Sequence, residues 1–174
     1  MERVIHTLDE MVRDGVIEDY VIGGATALLY FSVPTFVTED IDVFVHLKDK
    51  PSSSLIDVSP LYNYLISRKN AHIEGEYIVV DDFPLQFLTP YDELSNEAFA
   101  NAMSVSPENI PFKIFKLEYN MAIMIQLGKE KYVERLRTLM KHSLYNKEKL
   151  ESLLDRFDLK PKWLALARRS EGLQ

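Results

Sequence analysis

The sequence predicts an α+β fold: a small mixed β-sheet with flanking helices, followed by a helical C-terminal part. Two observations carry this. Short apolar runs of strand length, closed by glycine, proline or aspartate, recur through the first 110 residues. From residue 117 onward the apolar residues fall at helical spacing instead, punctuated by Gly128, Asn146 and Pro161. The expected division is an α/β core at 1–110 and a helical region at 111–174, packed together as one structural unit.

The elements follow in order. Ile5, Leu8, Met11 and Val12 lie at helical spacing over 4–13, and Asp14-Gly15 stops that helix. Tyr20 to Ile22 is a short strand, broken by Gly23-Gly24, and Ala25 to Phe31 is a helix. Pro34 and its neighbours form a loop, Ile41 to Val45 a second strand, and residues 48–54 an exposed loop. Ser59 caps a helix that Pro60 opens and that runs to about Ser67. Glu76–Val80 and Leu85–Leu88 form a hairpin with Asp81-Asp82-Phe83-Pro84 as its turn. Residues 91–103 are helical and Phe112–Phe115 is a last strand. Helices are expected at 117–127, 129–141, 147–157 and 161–169. Met121, Met124, Ile125 and Leu127 face the core, and Trp163, Leu164 and Leu166 dock the last helix.

Composition excludes several classes. The 174 residues are 47% hydrophobic, enough for a real core, yet no apolar run approaches the roughly 20 residues of a membrane span. No membrane partner is expected. The charged, periodic N-terminus does not read as a signal peptide. With no cysteine there are no disulfides or thiolate zinc sites, which fits a reducing cytoplasm. The four histidines are scattered without metal-ligand spacing. Net charge is −7, which argues against indiscriminate DNA binding. The charge is also uneven. Residues 1–110 hold six Lys/Arg against nineteen Asp/Glu, and 111–174 hold fourteen against eight. The basic group Lys129, Lys131, Arg135, Arg137 and Lys141 is either a solvated helix face or a surface for an acidic partner or tRNA.

The chemistry concentrates in residues 21–45, VIGGATALLYFSVPTFVTEDIDVFV. A strand, Gly-Gly, then a helix suits phosphate: glycine admits close approach, and a helix start presents unpaired N–H groups. The same pair also serves as a plain tight turn. Asp40 and Asp42 stand two apart, so on a strand they project together, with Ile41 and Val43 to the other side. Two such carboxylates suit one or two Mg²⁺ ions, or form a solvated acidic strand end. Gly-Gly is not the G-x-G-x-x-G pattern of dinucleotide sites.

Gly-Gly before a helix, then Thr38-Glu39-Asp40-Ile41-Asp42-Val43 leading into a strand, resembles the polymerase-beta-like nucleotidyltransferase superfamily. It is most similar to the small prokaryotic branch related to abortive-infection toxin nucleotidyltransferases. The blocks GEYIVVDDFPLQFLTPYDEL, FKIFKLEYNMAIMIQLGKEKYVERLRTLM and LESLLDRFDLKPKW extend the likeness over most of residues 20–163. The resemblance implies a nucleotidyltransferase-like core. It also implies Mg²⁺ (or Mn²⁺) on Asp40 and Asp42, NTP phosphates on Gly23 and Gly24, and in-line nucleotidyl transfer with pyrophosphate leaving. Thr38 would orient the site and Lys131 would reach a phosphate. The acceptor would be an RNA or protein hydroxyl, with tRNA and an antitoxin as the partners of a toxin.

Three positions depart from the branch pattern. The strand position for a third carboxylate carries Gln86, and Asp82 nearby is a weak substitute in a turn. No arginine separates Pro34 from Thr38. Lys131 is followed by Tyr132 where the branch has a Lys-Asp pair. The chain is therefore expected to be either a two-carboxylate nucleotidyltransferase or a catalytically reduced relative acting as a binding or regulatory module.

Overall fold

A computed structural model describes residues 1–31, 38, 40–48, 58–68 and 71–171. The segment from Pro34 to Val37, Glu39 and most of the 48–54 loop lie outside the described residues. Among the described residues, seven strands form one mixed sheet in the order β3-β4-β5-β2-β1-β7-β6. These are β1 (Ile17–Ile22), β2 (Ile41–Leu47), β3 (Ala71–Glu74), β4 (Tyr77–Val80), β5 (Phe83–Leu88), β6 (Met103–Val105) and β7 (Phe112–Ile114). The β2–β5 and β1–β7 pairs are parallel, and the other neighbours are antiparallel. The helices are α1 (Glu2–Arg13), α2 (Gly24–Leu28), α3 (Ser59–Arg68), α4 (Glu93–Ala100), α5 (Leu117–Leu127), α6 (Glu130–His142), α7 (Lys147–Arg156) and α8 (Lys160–Glu171). None of them is long and apolar enough to cross a membrane.

Strand alternation divides the core into two layers. Ile41, Val43 and Val45 of β2 join Leu85 and Phe87 of β5 beneath α1 and α3. Val21 and Phe44 face the other way, into a cluster built from α4 to α8. The centre of that second layer is α5, whose residues Leu117 to Ile125 are all buried. Leu127 is 42% exposed, in the last turn before Gly128 ends α5 in a left-handed cap. On α8, Leu166 is buried and Trp163 packs against the cluster, but Leu164 is 54% exposed.

Two expected boundaries shift for physical reasons. The β4–β5 turn is only Asp81-Asp82, both at positive φ, so the strand resumes at Phe83 and includes Pro84. That is the two-residue hairpin geometry whose twist matches the flanking strands, and aspartate tolerates it. Pro84 is accommodated because β2 begins pairing only at Leu85. β7 lies beyond residue 110 yet inside the sheet, between β1 and β6, so the helical part starts at Leu117. Strands β3 and β6 carry no strong strand pattern in the sequence: β3 is an edge strand with Ile73 58% exposed.

Candidate functional site

Asp42 is the second residue of β2 and shares the face of Phe44, toward the α5–α6 side of the sheet. Asp40 is not in the strand as expected. It stands at a bend just before β2, fixed by side chains rather than by the ladder. Its carbonyl accepts from Thr38 Oγ1 at 2.9 Å and Thr26 Oγ1 at 3.2 Å, and Thr38 Oγ1 also lies 3.0 Å from Asp40 Oδ1. Thr38 thus holds both ends of Asp40.

The two glycines have separate duties. Gly23 donates its N–H to the Asp42 carbonyl at 2.9 Å, tying the turn to β2. A Cβ there would lie 2.7 Å from the Phe44 ring, which itself packs on Phe115 with centroids 4.6 Å apart. Gly24 opens α2 at φ +56°, and a Cβ there would fall 1.7 Å from Asp42 Oδ2. The Gly-Gly pair is therefore required by Phe44 and by the Asp42 carboxylate, whichever ligand comes near it.

Asn120 completes the turn from the other layer. Its side chain is 1% exposed and donates from Nδ2 to the Gly24 carbonyl at 2.7 Å. Sequence reading passed it over inside an apolar helix, although a lone Asn there is a signal, since a buried amide needs a partner. Asn120→Leu removes this buried hydrogen bond and is expected to destabilise the chain by about 0.5–1.5 kcal/mol. Chemical denaturation checks this, and an unchanged midpoint would remove Asn120 from the site.

The electrostatics converge on Asp42. Burial is the main cause holding its carboxyl above the ordinary range, and the Asp40 charge adds to it. Lys131, Arg135 and Lys129 pull in the opposite direction. Lys131 and Arg135 lie one turn apart on α6 and form one wall of an open cleft of about 750 Å³. Thr38, Asp40, Glu74, Glu76 and Tyr77 line it as well. Arg135 was legible in the sequence only as one of five basic residues; the packing of α6 on α5 places it here.

Gln86 pairs with Asp42 in the parallel β2–β5 ladder, so the two side chains leave the same face of adjacent strands. Its Nε2 donates to Glu76 Oε2 at 3.3 Å. Asp82 stands in the β4–β5 turn, exposed, four residues and roughly 13 Å along the strand from Gln86. It does not reach the cleft. Besides Asp40, Glu74 and Glu76 line it, on the β3–β4 hairpin, where the sequence suggested no site residue.

The donor set fits a hard divalent cation. Asp42 abuts the Gly24 cradle beside Asp40, and that repulsion is what a cation relieves. The set remains a pair: among the described residues, no group of three or more His, Cys, Asp or Glu side chains is placed to hold a metal.

A solved structure of an antigenic nucleotidyltransferase-like protein from Paracoccidioides brasiliensis shares this architecture. It aligns at TM-score 0.59 and 14% identity, over 96% of this chain and 91% of its own. The chain has the nucleotidyltransferase-like fold. A second structure with this fold, ANT(2″)-Ia in complex with adenylyl-2″-tobramycin, aligns at TM-score 0.53 and 17% identity, over 93% and 98% of the two chains. No protein-family model and no curated protein matches the sequence. In this nucleotidyltransferase-like fold Asp40 and the α6 residues Lys131 and Arg135 line the cleft, and the Gly24 turn abuts Asp42 beside it.

Proposed function

We propose that the chain is a Mg²⁺-dependent nucleotidyltransferase that moves a nucleotide from an NTP to an acceptor hydroxyl. The observation that carries this is the Asp40–Asp42 pair beside Gly24, facing Lys131 and Arg135 across a cleft of nucleotide size. Asp40 and Asp42 would hold the metal. Mg²⁺ supplies charge neutralisation on the phosphates and lowers the pKa of the attacking hydroxyl. Lys131 and Arg135 would hold the triphosphate, whose oxygens approach the backbone at Gly23-Gly24. Thr38 would keep Asp40 aimed. The acceptor oxygen attacks the α-phosphorus, and pyrophosphate leaves in line.

The acceptor is an RNA end, such as a tRNA, or a protein hydroxyl, and the chain would be the toxin of a toxin–antitoxin pair. A small-molecule hydroxyl is the third arm to assay, since ANT(2″)-Ia is seen with an adenylyl group on tobramycin. Calorimetric titration with Mg²⁺ and each NTP is expected to show binding to the wild type and none to the Asp40→Asn/Asp42→Asn variant. Equal binding by both proteins would remove the assignment.

One observation favours a second reading, a nucleotide-binding module without turnover: Gln86 occupies the strand position level with Asp42. An amide there brings no charge and accepts no proton. Transfer of radiolabelled NTP onto RNA, protein or small-molecule acceptors separates the two readings.

A further inference from the structure

Nucleotidyl transfer needs a group that takes the proton of the acceptor hydroxyl. The reading above leaves that role open, because Asp40 and Asp42 are assigned to the metal and Gln86 is an amide. The structure places another carboxylate against Gln86. Residues Gly75-Glu76 are the two central residues of the tight β3–β4 hairpin, with Glu74 paired to Tyr77 across it. Gly75 takes the positive φ of +61° that such a turn requires at its first central position. This short turn aims Glu76 at the cleft, where its Oε2 accepts from Gln86 Nε2 at 3.3 Å.

Tyr77, the next residue of the hairpin, also faces the cleft. Its ring lines the same cleft as Glu76 and Asp40, and desolvation and the two carboxylates push its phenol pKa up. Glu76 itself is hydrogen-bonded to the side chain that stands level with Asp42 on the neighbouring strand. Yet it does not join the aspartates as a three-acid metal group. A carboxylate beside a metal pair but outside it, exposed in the cleft, is placed to meet an incoming hydroxyl.

We infer that Glu76, positioned by Gln86, is the general base of the reaction proposed above, on which this assignment rests. The acceptor O–H proton passes to the Glu76 carboxylate as the oxygen forms a bond to the α-phosphorus. The α–β phosphoanhydride bond breaks, and its electron pair leaves with pyrophosphate. The strand position level with Asp42 carries an amide, and the neighbouring hairpin supplies a carboxylate hydrogen-bonded to it.

The test uses the full chain, with Mg²⁺·NTP affinity by calorimetry and pyrophosphate release in the presence of an acceptor. Glu76→Gln is expected to keep its affinity within about twofold while turnover falls by roughly 10²–10⁴. Formate added to Glu76→Ala should restore part of the turnover, which a merely structural role would not allow. Gln86→Ala should lose about tenfold, and Gln86→Glu in the Glu76→Gln background should recover activity by returning a carboxylate to the strand. Turnover in Glu76→Gln within about threefold of wild type overturns the assignment, as does a parallel loss of affinity and turnover. A wild type that binds Mg²⁺·NTP but releases no pyrophosphate overturns the base and leaves the binding site standing. A wild type that binds no NTP overturns both.

Discussion

Gly24→Ala is expected to disable the site and to destabilise the chain. The new Cβ would lie 1.7 Å from Asp42 Oδ2 and 2.8 Å from its Cγ, so the carboxylate must swing away. The backbone is also at φ +56°, where an L-residue is strained. Left-handed strain of roughly 1–2 kcal/mol and overpacking of about 1–3 kcal/mol give a loss on the order of 2–5 kcal/mol. Mg²⁺·NTP binding should disappear as well, because Asp42 is the group displaced. Gly75→Ala is the control: φ there is +61°, but no atom lies within 4 Å of the added carbon. It should show only the conformational penalty, about 1–2 kcal/mol, and keep nucleotide binding. Urea denaturation and calorimetry on both variants decide the matter. Equal stability of the two would mean that the contact between Gly24 and Asp42 does not exist in solution.

Asp42→Asn should separate stability from function. Burial and then the Asp40 charge raise the Asp42 carboxyl above its ordinary value of 3.8. A raised acid pKa means that the folded chain binds this proton more tightly than the unfolded chain does. The stabilisation is therefore fully present below pH 3.8 and is lost as pH rises through the raised folded value. Above that raised value the ionised Asp42 opposes folding when no cation is bound. Asparagine removes that opposition. The metal-free variant should melt higher than wild type at pH 7, and the difference should shrink as pH falls. Added Mg²⁺ with NTP should reverse the order by stabilising only the wild type. Thermal melts across pH, with and without Mg²⁺·NTP, test this. A metal-free variant less stable than wild type at pH 7 would contradict it.

Much of the site is local and was readable in sequence. Gly23-Gly24, Thr38, Asp40 and Asp42 lie within twenty residues, so the turn, the strand and the Thr38–Asp40 contacts are all local. The turn, the strand β2 and the placement of Gln86 beside Asp42 all appear in the structure. The misses have a common cause. Asp81-Asp82-Phe83-Pro84 was read as a turn because proline signals one, but the ladder offered Pro84 a place without a β2 partner. Asp82 seemed near the site because it is near Gln86 along the chain, yet the extended strand carries it away. Asn120 went unnoticed because its role depends on α5 packing against α2.

The sequence by itself determined the α+β class, the order of most elements, the helical C-terminal part and the local aspartate–glycine constellation. Those follow from periodicity, turn chemistry and neighbours along the chain. Only the tertiary structure decided which distant groups face that constellation: Lys131 and Arg135 from α6, Asn120 from α5, Glu76 and Tyr77 from the β3–β4 hairpin. Sheet register and helix packing set those meetings, and both depend on contacts between residues tens of positions apart, which no local pattern encodes.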